Sequence, residues 1–190
     1  MSELIIGLAI FLGSHSIGMT VPQWRTDMIR RIGDRAWMGF YSLVSIASLV
    51  LIVHGFAVAR RAPILLYVPP PLLHTVAVVL MVPVPLLVLA SVLPGKIQAV
   101  TKHPLLLAVK VWALAHLLAN GTAADVLLFG SLLIWAGLVR VSLKRRPRRP
   151  RATVPTGRWN DAVVVMFGLA LYVAFLLWFH QWLFGVAPLG

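Results

Sequence analysis

Six histidines, at positions 15, 54, 74, 103, 116 and 180, are the side chains with the widest chemistry in this sequence. A neutral imidazole ligates a metal through one ring nitrogen and exchanges protons near neutral pH. Cysteine is absent, which removes disulfides, thiolate ligands and Cys nucleophiles. The acids are Glu3, Asp27, Asp34, Asp125 and Asp161, and none stands near the middle of a membrane-length apolar run. A structural zinc site or a carboxylate-bridged metal pair is therefore poorly supplied with ligands. No Ser-His-acid nucleophile can be assembled with a buried acid, and the glycines form no phosphate-binding pattern. Metal chemistry has to rest on histidine.

What positions those histidines depends on the solvent of the chain. Of 190 residues, 60% are hydrophobic and 12% charged, with a mean hydropathy of +0.92, a balance suited to lipid rather than water. A helix needs about 20 residues to cross the hydrocarbon core, so the length holds about six crossings in a single domain, 1–190. The predicted spans are 3–20, 36–58, 72–93, 104–119, 123–143 and 161–184. Pro69, Pro70 and Pro71 mark the loop before the third span, and Pro104 after His103 suits a first helical position. Asn120 and Gly121 close the fourth, and Thr122 with Asp125 forms a capping box that opens the fifth. Pro83 and Pro85 should kink the third span. The start, Met1 to Leu4, lacks a positive n-region and reads as part of a retained first helix.

Cations orient the spans. The loops after the first, third and fifth hold Arg25, Arg30, Arg31 and Arg35; Lys96 and Lys102; and Arg140, Lys144, Arg145, Arg146, Arg148, Arg149, Arg151 and Arg158. The opposite side has only Arg60 and Arg61, and Lys110 falls within a span. Fourteen against two predicts cytoplasmic odd loops and both termini outside, periplasmic in a bacterium. The run 144–151 could in principle contact nucleic acid, but between two spans it reads as a solvated loop facing anionic lipid, so membrane lipids and no nucleic acid are the expected partners.

Depth then separates the histidines. At a rise of about 1.5 Å per residue, His54, His74 and His180 come out within about 5 Å of the outer boundary and His103 at the cytoplasmic one. His15 lies roughly 18 Å and His116 roughly 5 to 10 Å below the outer surface. Polar groups at depth are costly and mark a pathway or a site. Gly18 stands one turn after His15, Ala113 and Ala119 flank His116 at one turn on either side, and Trp112 offers it an aromatic wall. Small residues around two imidazoles suit a flat haem held by one histidine on each face. The alternative is that both histidines bond to neighbouring helices as packing residues. Lys110 either snorkels to the interface or pairs with an acid such as a haem propionate. Ser14, Ser16 and Thr75 either bond back to their helices or touch a ligand. Trp24, Trp37, Tyr67, Trp159, Trp178 and Trp182 read as interface anchors.

Several stretches resemble the NnrU family of bacterial membrane proteins. They are Gly13-Ser14-His15-Ser16, Ile32-Gly33-Asp34-Arg35-Ala36-Trp37, Tyr41-Ser42-Leu43-Val44-Ser45, Pro94-Gly95-Lys96, Lys102-His103-Pro104-Leu105 and, most specifically, 112–121 with His116. The resemblance implies a multi-pass protein of the bacterial inner membrane, associated with nitrite and nitric oxide reduction in denitrification. It also reaches the 15-cis-zeta-carotene isomerases, which carry a b-type haem on two histidines. Their ligands match His15 and His116, and a further needed position matches His103. His74 fits the family pattern, whereas His54 and His180 depart from it. Where the isomerases keep a cysteine one turn before the second ligand, this chain has Ala113.

The expected protein is thus an all-α, six-helix bundle in the membrane. It binds haem b through His15 and His116, with Gly18, Trp112 and Lys110 around the cofactor and His74 and His103 as alternative ligands. Redox or sensing chemistry with a redox partner protein is one expected role, and haem-dependent cis-trans isomerisation of a lipophilic polyene is the other.

Overall fold

The computed structural model describes residues 1–145 and 157–189, and among them everything regular is helical apart from one isolated bridge between Leu65 and Thr122. The helices are α1 (Ser2–Thr20), α2 (Pro22–Ile32), α3 (Asp34–Ala59), α4 (Pro71–Met81), α5 (Pro83–Ala90), α6 (Lys96–Thr101), α7 (Pro104–Ala119), α8 (Ala123–Lys144) and α9 (Asn160–Ala174). A π-helical turn, Phe175–Phe179, joins α9 to α10 (His180–Phe184). Five helical stretches are long and apolar enough to cross a membrane: Ser2–Thr20, Asp34–Ala59, Pro71–Ala90, Ala123–Lys144 and Asn160–Phe184. The chain is a multi-pass membrane protein. The remaining expected span, α7, has 16 residues, about 24 Å of helix against a hydrocarbon core of about 30 Å.

Local chemistry sets the helix ends. Prolines occupy the first turn of α2, α4, α5 and α7, where a missing N–H costs nothing. Gly33, at φ +86°, separates α2 from α3. The Thr122 hydroxyl accepts from the Asp125 amide while the Asp125 carboxylate accepts from the Thr122 amide, so the expected capping box is present. The expected loops 20–36 and 93–104 contain α2 and α6 instead. Arg146, Arg148, Arg149 and Arg151 of the basic run, and Gly190, lie outside the described residues.

Two compact units make up the chain, one holding α1, α2, α3 and α8, the other α4 to α7, α9 and α10. In the first, α1 and α3 run antiparallel at close range. A Cβ at Gly7 would come 2.8 Å from the Ile52 amide nitrogen, and one at Gly55 would collide with the backbone of Leu4. Glycine is what lets the two backbones approach, and Leu4, Leu8 and Ile52 are buried there. The chain after α3 is tied to the start of α8: the Leu66 amide donates to the Gly121 carbonyl, and the Ala123 amide donates to that of Ile64, each at 2.8 Å.

In the second unit Val84, Leu87 and Ala108 form a buried cluster between α5 and α7, with Met81, Val111 and Trp112 packed on it. Pro83 breaks the third span as expected. The Val82 amide turns back to the Val79 carbonyl at 3.2 Å, and the Val78 carbonyl accepts the Tyr172 hydroxyl of α9 at 2.9 Å. At the far end of α9 the Asp161 carboxylate accepts from the amides of Lys96 and Ile97 at 2.8 and 3.1 Å, and the Asn160 side chain donates to the Pro94 carbonyl.

Candidate functional site

His15 is held by its own helix and by two others of its unit. Its Nδ1 stands 2.8 Å from the Phe11 carbonyl oxygen one turn back, an oxygen that also accepts the Ser14 hydroxyl at 2.9 Å. A carbonyl only accepts, so Nδ1 is the protonated nitrogen, and in the neutral ring the lone pair is on Nε2. Tying the second ring nitrogen to a backbone carbonyl is how proteins orient an imidazole that ligates a metal. The Phe11 ring stacks on the imidazole with centroids 4.1 Å apart and planes at 27°. Tyr41 of α3 lies tilted at 5.2 Å, and Trp135 of α8 meets the ring edge-on at 6.1 Å and 85°. The Trp135 indole N–H donates to the Ser16 hydroxyl at 3.1 Å. A Cβ at Gly18 would meet nothing within 4 Å, so α1 is open one turn after His15.

His116, in the second unit, repeats the arrangement on α7. Its Nδ1 lies 2.8 Å from the Trp112 carbonyl oxygen, which again puts the lone pair on Nε2. The Trp112 ring is 5.0 Å away and tilted by 50°. Asn120 closes the helix by donating both its amide and its side-chain nitrogen to the His116 carbonyl. Ala113 is fully buried and Trp112 packs on the α5–α7 cluster, so those residues serve helix packing, unlike the open position at Gly18. Lys110 is half-buried on the same helix.

The other histidines have different surroundings. The exposed His54 has Nδ1 2.7 Å from a Glu3 carboxylate oxygen, linking the end of α3 to the start of α1. His180 Nδ1 donates to the Val186 carbonyl at 2.7 Å, and His74 is exposed in the first turn of α4. His103 is the N-cap of α7, with no side-chain capping bond. Among the described residues no three His, Asp or Glu side chains are grouped as a bare metal ion would need. Haem asks only for axial nitrogens, and the imidazoles of His15 and His116 fit that demand in donor atom and tautomer.

The NnrU protein family model matches residues 3–188. The chain belongs to the NnrU family. No curated protein and no solved structure matches it. Within this NnrU chain three of the family-like stretches contain sterically constrained positions. Gly121 abuts the Tyr67 carbonyl, where a Cβ would collide, and Gly95 abuts the Asp161 carboxylate in the same way. Lys102 has φ +62° and ψ −38°, and the His103 amide donates across it to the Thr101 carbonyl at 2.7 Å, which makes a γ-turn of the rarer, strained hand. The strained residue thus stands immediately before His103.

Three aromatic neighbours of His15 escaped sequence reasoning. Phe11 was within reach of it, being one turn before His15 on the same face. Trp135 also carried a signal: it stands far from both ends of α8 and cannot be an interface anchor, so its N–H needed a partner inside the protein. Tyr41 gave none. Of the Trp residues expected as anchors, Trp37 is instead buried and meets Trp24 edge-on at 5.9 Å.

Proposed function

We propose that this NnrU-family protein is a b-type haem protein of the bacterial inner membrane. His15 and His116 are the axial ligands, and its redox or sensing chemistry is linked to the reduction of nitrite and nitric oxide. The observation that carries the reading is the shared setting of these two imidazoles, each with Nδ1–H tied to the carbonyl four residues back and its lone pair on Nε2. The open flank at Gly18 leaves room for a ring edge, Trp112 walls His116, and the half-buried Lys110 of α7 is the cation this reading assigns to a propionate. His74 and His103 are the competing ligands. When bound, the haem supplies one-electron chemistry, which calls for a redox partner protein.

The same reading takes the whole chain as one domain of six spans with both ends outside. Its support is parity. Residues 64–66 bond to 121–123, and 94–97 bond to 160–161. If α4–α5 crosses, then α7 must cross back for Gly121 to reach Leu66, short as it is. Local thinning of the bilayer accommodates a span of that length.

An absorption spectrum of the purified protein, oxidised and reduced, tests the haem. A Soret band with a six-coordinate low-spin spectrum is expected, because two imidazoles give a strong field on iron. Protein that purifies colourless and takes up no added haemin would overturn the reading. A five-coordinate or ligand-exchangeable spectrum would favour the polyene isomerase, which needs an open position on iron.

A further inference from the structure

We infer that Trp135 and Ser16 are positioning residues that fix the plane of the His15 imidazole. The inference rests on the reading of His15 as a ligand for its purpose, though not for its test. The hydrogen bonds to the ring, Nδ1–H to the Phe11 carbonyl with the Ser14 hydroxyl 3.3 Å from the same nitrogen, set the tautomer but act at one atom, so the plane of the ring is left to its packing, in which Tyr41 shares. Phe11 covers one face of the ring. Trp135 stands edge-on to the ring, and its indole is pinned by the N–H bond to Ser16, the residue next to His15. The Trp135 indole is thus fixed to α1 at the point where the imidazole needs a stop, and α8 reaches His15 through this hydrogen bond and the edge-on ring contact together. A hydroxyl and an indole N–H deep in an apolar span would otherwise serve only as helix glue, with a net worth of about one hydrogen bond.

The two roles separate in the full-length protein carrying Trp135→Phe, Ser16→Ala or both. Order parameters of the imidazole C–H bonds in histidine-labelled, haem-free protein read the ring directly, with His15→Ala assigning its signals and His116 serving as the internal standard. The wild-type His15 should show one protonated and one bare nitrogen and a rigid ring. Each single variant should lower the His15 order parameters while the tautomer set by Phe11 is kept, and the double variant should go no further than the singles. With haem bound, the low-spin ferric resonance should broaden and haem loss should quicken about fivefold, the equivalent of one net hydrogen bond. If both variants fold and the His15 order parameters stay unchanged, the bond is glue and the inference fails, whatever haem does. If the order parameters fall but the wild type binds no haem, the positioning stands and the haem reading falls.

Discussion

Removing an imidazole should matter at two positions and not at two others. His15→Ala and His116→Ala should each lose haem or leave it five-coordinate, because neither helix offers a second imidazole one turn away. His54→Ala and His180→Ala should keep the low-spin spectrum, since their Nδ1 atoms are engaged by Glu3 and by the Val186 carbonyl at helix ends. Loss of the signal in His74→Ala but not in His15→Ala would move the ligand to α4. Lys110→Met tests the propionate contact: a snorkelling lysine is replaceable, so unchanged haem content would remove Lys110 from the site. His15 and His116, both half-buried, were set apart in the sequence by depth, because the rise per residue along a helix is fixed. The aromatic wall of His15 was mostly not legible there, since Tyr41 and Trp135 arrive from α3 and α8 and no local pattern encodes which face meets which.

Helix breaks carry their own consequences. Tyr172 satisfies the Val78 carbonyl beside the Pro83 break, so Tyr172→Phe should lower stability in detergent by about 1 kcal/mol. An unchanged unfolding midpoint would mean that water replaces the hydroxyl. Lys102→Gly should act in the opposite sense, by about 0.5 to 1 kcal/mol, because glycine adopts the positive φ of the γ-turn without strain and returns part of the gain as chain entropy. Thermal unfolding of the two variants side by side would show the opposed shifts. The break at Pro83 was readable from proline itself, whereas its partner was not, because Tyr172 lies 94 residues away. Helix α2 was missed for another reason. A search for long apolar runs discards a polar stretch, although Pro22 at the start, Arg30 and Arg31 in the last turn and Gly33 after it spell a short helix.

The number of crossings governs how the charge of the whole molecule is divided. With six, fourteen cations face the cytoplasm and two the outside. Should α7 fail to cross, everything after it changes side, and the eight cations of 140–158 would join Arg60 and Arg61, leaving six inside against ten outside. That distribution runs against the bias that orients membrane proteins. The backbone bonds of 64–66 with 121–123 oppose it independently, as they put the start of α8 on the same side as the end of α3. Because the chain has no cysteine, single cysteines report without background. Cysteines at Ala62 and Ala123 should label from the outside, and those at Ala99 and Arg158 only from the cytoplasm. Ala123 and Ala99 are the decisive pair, since α7 alone separates their sides. Labelling of both from the cytoplasm would make α7 a helix that enters and returns, reduce the spans to five and put the two termini on opposite sides. His116 would then approach the membrane from the cytoplasmic face, and its pairing with His15 would have to be abandoned together with the topology.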